Sequence, residues 1–180
     1  MKIGIDISQL AYSNTGVANY LQNFVEALFS SDSKNEYVLF YSSLRRPIQN
    51  SKFKIQNKLQ NSNFKIKTFR LPPTLLDLLW NRLHVLPIES LIGDVDIFIT
   101  SDWTEPPTKK AKKATILYDL IVYKYPEETH EKIIATQKRK LEWVKKESDV
   151  IFCISQSTKQ DAMQILGIPE ERLRVAYPGI

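Results

Sequence analysis

The sequence predicts an α/β fold, a doubly wound, mainly parallel sheet with helices on both faces. Three observations carry this expectation. Strand-like and helix-like segments largely alternate along the chain. The strand-like segments are short and apolar on both faces, as strands covered by helices on each side must be. The first of them leads through a glycine-containing turn into an amphipathic helix. Such a sheet is Rossmann-like, and its ligands bind beyond the carboxyl ends of its strands. At 180 residues the chain suits one well-buried domain.

The elements follow in order. Lys2 to Ile7 is an apolar run containing Asp6, and the polar turn Ser13-Asn14-Thr15-Gly16 leads into Val17, Tyr20, Leu21, Phe24, Val25 and Leu28 at helical spacing. Glu36 to Tyr41 is aromatic and β-branched and reads as the second strand. Phe64 to Phe69 alternates apolar with basic residues and reads as a third, partly exposed one. Between them, Asn50 to Ile55 is nearly repeated as Asn61 to Ile66, either a small duplication forming a hairpin or compositional drift in a loop. After Pro72-Pro73, the spacing of Leu75, Leu76, Leu78, Leu79, Leu83 and Val85 predicts a helix that Pro87 ends or bends. Strands are then expected at Val95 to Thr100, Ala114 to Leu117, Val150 to Ile154 and Leu173 to Ala176. A long helix is expected over Glu127 to Glu147, and another over Gln156 to Leu166, stopped by Gly167.

Bulk properties exclude several classes. No apolar run approaches the roughly 20 residues that span a bilayer, and Asp6 interrupts what would be a signal peptide's apolar region, so a cytoplasmic location is expected. Cys153 is the only cysteine, which rules out an internal disulfide, and its flanks read as a buried strand. His84 and His130 have no Cys/His spacing suited to zinc. The net charge of +5 admits a phosphate-rich ligand or an anionic membrane without selecting either. The first turn lacks G-x-G-x-x-G, and no acid follows the second strand to hold a ribose, which disfavours a dinucleotide dehydrogenase.

Four strand ends carry residues with chemical potential. Thr15 and Gly16 open a helix, where free backbone N–H groups and the positive dipole end suit a phosphate; an ordinary cap with a turn glycine fits equally. Thr100 to Pro107 places Ser101, Asp102, Thr104 and Glu105 around Trp103 on a proline-stiffened loop, a mixture that can hydrogen-bond a polyol while an aromatic face covers its apolar side. Asp119, after Tyr118, would project a carboxylate into the cleft or cap a turn. Ser155 begins Ser155-Gln156-Ser157-Thr158, a capped helix start or a set of hydroxyls for a ligand. The long helix adds Lys132, Lys138, Arg139, Lys140, Lys145 and Lys146 around an apolar stripe, a solvated face or a surface for anionic lipid or acceptor phosphate.

In order and spacing, these segments resemble the N-terminal domain of retaining GT-B glycosyltransferases of family 4. The resemblance rests on Met1-Lys2-Ile3-Gly4-Ile5-Asp6, Thr15-Gly16-Val17 with Tyr20-Leu21, Glu36 to Phe40, Val95-Asp96-Ile97-Phe98, and Tyr118-Asp119-Leu120 with Tyr125-Pro126-Glu127. It continues through Ser148 to Ile151, Ser155 to Lys159, Leu166 to Pro169, Arg172 to Val175, and Tyr177-Pro178-Gly179-Ile180. Only Arg45 to Arg70 falls outside.

The resemblance implies transfer of a hexose from a nucleotide-diphosphate sugar to a glycan or lipid-linked acceptor, with retention and without an obligatory metal or other cofactor, in cell-envelope polysaccharide assembly. It implies Thr15 and Gly16 near the donor diphosphate and Tyr118 and Asp119 beside the transferred sugar. Ser101, Asp102, Trp103, Arg139 and Ser155 are then expected toward the acceptor, with peripheral contact to the inner face of an anionic membrane and no nucleic acid as partner. Residues 1–176 would form the acceptor-side domain and 177–180 begin the linker to a donor-binding domain, without which the chain is expected to be inactive. One departure is clear: the family usually has His-Asp where this chain has Tyr118-Asp119. A non-catalytic sugar- or partner-binding module of the same fold is the alternative.

Overall fold

A computed structural model of the chain describes residues 1–12, 14–46 and 64–178. Seven strands form one sheet: β1 (Lys2–Asp6), β2 (Glu36–Ser42), β3 (Phe64–Phe69), β4 (Ile97–Thr100), β5 (Lys112–Leu117), β6 (Val150–Cys153) and β7 (Leu173–Val175). Their order is β3-β2-β1-β4-β5-β6-β7, and every neighbouring pair is parallel. The fold is therefore α/β and Rossmann-like, as the alternation of segments predicts. The strand order reverses between β1 and β4, and their carboxyl ends splay a crevice there.

The helices are α1 (Gly16–Ser31), α2 (Pro73–Leu76), α3 (Glu89–Ile92), α4 (Ile121–Lys124), α5 (Glu131–Glu147) and α6 (Gln156–Leu166). Period-2 alternation decides which side chain meets which helix layer. On β2, Tyr37, Leu39 and Tyr41 join Leu21, Val25 and Phe29 of α1, while Val38 and Phe40 join Trp80, Ile88 and Ile92 on the opposite face. A third cluster packs Leu141 and Val144 of α5 and Ala162 and Leu166 of α6 onto Ile151 and Cys153. Each such fully buried side chain contributes roughly 1.5–3 kcal/mol. Gly4 is required by close packing, because a Cβ at that position would lie 2.6 Å from the Phe98 ring and 3.0 Å from Ile92. Gly167 ends α6 in the left-handed conformation at φ +64°, as its C-terminal placement predicts.

Two helices differ from the sequence expectation. The helix expected over Leu75 to Val85 is one α turn followed by a π turn, Asp77–Arg82, closed by Leu83 N–H donating to Leu78 C=O at 3.0 Å. His84 and Leu86 then take positive φ values of 51° and 65°. Trp80 is fully buried within this turn and donates its indole N–H to Leu86 C=O at 3.0 Å. The helix expected from Glu127 starts at Glu131 instead. Pro126–Glu128 is a 3₁₀ turn, Thr129 is extended, and His130 caps α5 by accepting the Lys132 N–H at 3.2 Å. The near-repeat over 50–66 lies mostly outside the described residues, of which 64–66 begin β3.

Candidate active site

Because the strands are parallel, Asp6, Ser42, Thr100 and Leu117 finish at one edge of the sheet, and three cavities open there. The first, about 430 Å³, sits at the reversal of strand order between β1 and β4. Asp6, Ser42, Thr15, Val17, Asp102, Trp103 and Thr104 are in its wall. The second, about 230 Å³, lies under the end of β5 and takes in Val17, Asp102, Trp103, Tyr118, Asp119, Gln137 and Lys140. The third, about 400 Å³, runs between the start of α2 and α5, with Asp77, Arg82, Trp103, Lys132 and Arg139 around it. Among the described residues, half-buried Trp103 is the one that borders all three.

The loop that carries Trp103 is fixed from below. Asn81, in the π turn and 3% exposed, donates its amide to the Trp103 carbonyl at 2.9 Å and accepts the Glu105 N–H at 3.0 Å. Beneath lies a buried charged layer. Glu105 is fully buried, with its carboxylate 2.7 Å from the Thr100 hydroxyl and 3.1 Å from Lys113 Nζ. Lys113 also reaches Glu147 at 2.8 Å. Lys140, 2% exposed, donates from Nζ to the Ser101 carbonyl at 2.6 Å and to Thr115 Oγ1 at 3.2 Å. Lys140 therefore does not belong to the solvated basic face expected of α5. It sits four residues before buried Val144, which turns it toward the sheet. That spacing was the available signal; the flanking Lys138 and Arg139 disguise it.

Burial raises the carboxyls of Asp6 and Asp102 above their usual range, against the pull of Lys140 on both and of hydrogen bonds from Ser8 and Gln137 respectively. Burial also lowers Lys140, despite attraction from Glu105 and Asp102. Asp102 accepts the Gln137 amide at 3.1 Å while bordering two cavities. It is thus a carboxyl held in one orientation at the wall of both cavities.

The remaining candidates divide clearly. Asp119 is exposed in the second cavity and also caps a turn by accepting the Ile121 N–H at 3.1 Å, so both readings of it coexist. Tyr118 is buried, its hydroxyl 3.1 Å from Ser101 Oγ and its ring edge-on to Tyr20 with centroids 5.4 Å apart. Desolvation pushes the Tyr118 phenol far up, with the Ser101 hydrogen bond opposing it. Ser101 is 1% exposed and directed to that phenol. Thr15 caps α1, its Oγ1 accepting the Ala18 N–H at 3.2 Å, and borders the first cavity; Gly16 beside it is exposed, with nothing within 4 Å of where a Cβ would stand. Ser155 caps α6 through the Thr158 N–H at 3.0 Å. Gly16, Ser101 and Ser155 line none of the three cavities. Cys153 is fully buried, as its flanks predict, and His84 stacks on Trp143 with centroids 3.5 Å apart.

Among the described residues, no group of three or more His, Cys, Asp or Glu is placed to hold a metal ion, and no helix is long and apolar enough to cross a membrane. Comparison with curated proteins finds no match. The family model described as Glycosyltransferase Family 4 matches residues 14–180, nearly the whole chain and every wall of the three cavities except Asp6, Ser8, Gln9 and Tyr12. With its all-parallel Rossmann-like sheet and a cleft where the strand order reverses, the chain belongs to glycosyltransferase family 4.

Proposed function

We propose that this chain is the acceptor-side half of a two-domain enzyme that transfers a hexose from a nucleotide-diphosphate sugar to a glycan or lipid-linked acceptor, with retention. Trp103 carries the reading. An aromatic ring held between a carboxylate-lined crevice and a second cavity ending in Asp119 has the chemistry a sugar needs, an apolar face with oriented acceptors on either side. Asp102 and Asp119 would accept sugar hydroxyls, and Thr15 with Gly16 would face the donor diphosphate at the start of α1. No cofactor is required in this reading, and the donor's remaining contacts come from a second domain. Residues 1–176 would be the folded half and 177–180 the start of a linker.

The test is sugar transfer assayed by product anomer. Joined to its donor domain, the chain should yield the retained anomer, and Asp119→Ala should lower transfer by at least tenfold, about 1.4 kcal/mol of transition-state stabilisation. The 180 residues alone should be inactive; turnover by them would overturn the division of labour. A binding module without chemistry is favoured by one observation, the buried Tyr118 phenol, which is turned to Ser101 where the family usually has a histidine. Inactivity of the joined protein with every donor, rescued by Tyr118→His, would establish that second reading.

A further inference from the structure

The third cavity has a charge composition that sugar binding does not call for. Arg82, Lys132 and Arg139 border it, against a single acid, Asp77. Asp77 holds both guanidinium groups, Arg82 Nε at 3.0 Å and Arg139 Nη2 at 3.1 Å, and accepts the Asn81 amide at 3.0 Å as well. Burial opposes its ionisation, but these donors outweigh burial and keep the carboxyl below its usual range. One carboxylate against three cations leaves two positive charges unmatched around the cavity. The arginines are oriented rather than neutralised. Arg139 is pinned further by Nη2 donating to Thr136 Oγ1 at 3.1 Å, while its Nε is buried and has no hydrogen-bond partner among the described residues.

We propose that this cavity binds the phosphate of a phosphorylated acceptor, with Arg139 and Arg82 as the oriented donors and Lys132 as the mobile charge. A phosphate monoester carries about −1.5 to −2 at pH 7, which matches the unpaired charge, and its oxygens suit guanidinium donors whose geometry is already set. Thr74 and Thr136 also line this cavity. The cavity meets the crevice at Trp103 and Thr104, so a sugar resting on Trp103 would present its phosphate here. This inference rests on the chain's holding the acceptor.

The test is calorimetric titration of the 180-residue chain with inorganic phosphate, with hexose 1-phosphate and with the neutral hexose. Hexose 1-phosphate should bind most tightly and the neutral hexose least. Arg139→Gln should weaken hexose 1-phosphate binding at least tenfold, about 1.4 kcal/mol, and Lys132→Gln by a smaller factor. Lys145→Gln, an exposed change on the same helix away from the cavity, should leave it unaltered. Affinity should fall as pH drops through about 6, where the ester takes up its second proton. Equal affinity for charged and neutral ligands, or indifference to both cavity variants, would overturn the proposal. Should Arg139→Gln fail to fold, exposed Lys132 decides.

A second arm separates the sources of the phosphate, using a polyprenyl-diphosphate sugar in neutral detergent micelles against empty micelles. Tighter binding than hexose 1-phosphate assigns a lipid-linked acceptor, and weaker binding a soluble one. Transfer by the two-domain protein keeps the readings apart. Phosphate binding that responds to Arg139 without any transfer sinks the enzyme reading and leaves the anion site. Transfer indifferent to Arg139→Gln does the reverse.

Discussion

The loop after β4 and the turn before α1 both face the crevice, yet they are built in opposite ways. Thr100 to Glu105 rests on a buried charged layer, with Asn81 clamping its backbone and Lys140 and Lys113 beneath it. Tyr12 to Gly16 is exposed where it is described, held by the Thr15 side chain bridging the Tyr12 carbonyl and the Ala18 N–H. The first has its geometry fixed before any ligand arrives. The second leaves its exposed backbone to be completed by whatever binds. The contrast is between a clamped platform and an open lip, and it suits the proposed division in which the platform holds the acceptor and the lip meets a donor.

Breaking the platform should cost most. Lys140→Met removes the buried donor held by the Ser101 carbonyl and Thr115 Oγ1, together with the charge that draws on Asp6, Asp102 and Glu105. Urea unfolding should show a loss of about 1–3 kcal/mol, the range for leaving buried acceptors without their donor. Glu105→Gln should destabilise as well, because it takes the charge from the buried pair with Lys113 at 3.1 Å.

Asp6 sharpens the comparison from the other side. Its pKa is raised by burial, so folded Asp6 holds its proton more tightly than unfolded Asp6 does. Its contribution is fully present below the ordinary value of 3.8 and is lost as pH rises through the raised folded value. Above that folded value the buried, ionised side chain works against stability. Asp6→Asn keeps an acceptor for the Ser8 N–H and should stabilise the protein by about 1 kcal/mol at pH 7, with a flatter stability profile above pH 4. An unchanged pH profile would contradict the assignment.

At the lip the effects shrink. Thr15→Ala deletes the α1 cap and should cost about 1 kcal/mol. Gly16→Ala meets no neighbour, and should leave stability unchanged or raise it by roughly 0.5 kcal/mol, since alanine suits a helix better. If Gly16→Ala nevertheless slows transfer in the two-domain protein, the lip serves a ligand; if transfer is untouched, it serves only the helix.

Much of the sheet was legible because parallel strands covered on both faces read as continuous apolar runs, and Gln156–Leu166 was found with its bounds intact because Ser155 and Gly167 mark both ends. The π turn left no comparable trace. Leucines at helical spacing look the same whether the backbone closes four or five residues back, and the burial of Trp80 and Asn81 settles which. Glu127 and Glu128 belong to a short 3₁₀ turn and Thr129 is extended, because Pro126 and the His130 cap punctuate a stretch whose composition suits a helix.

Trp103, Asp102 and Asp119, which residue type at strand ends singles out, line the cavities at the carboxyl ends of the strands. The layer beneath left no such trace, because Glu105, Lys113 and the pair Lys140 and Glu147 come from three segments, the loop after β4, β5 and α5, that only the folded sheet brings together. Ser101 was legible by type and misleading by position, its hydroxyl being directed to the Tyr118 phenol.

Trp103 offers the most direct test. In the proposed two-domain protein, Trp103→Ala removes the side chain common to the three cavities while the Asn81 clamp, which grips backbone atoms, stays in place. Transfer should fall about 100-fold in kcat/KM, or 2.7 kcal/mol, with the melting temperature of the chain nearly unchanged. Transfer at the original rate by a folded Trp103→Ala protein would show that the acceptor lies elsewhere.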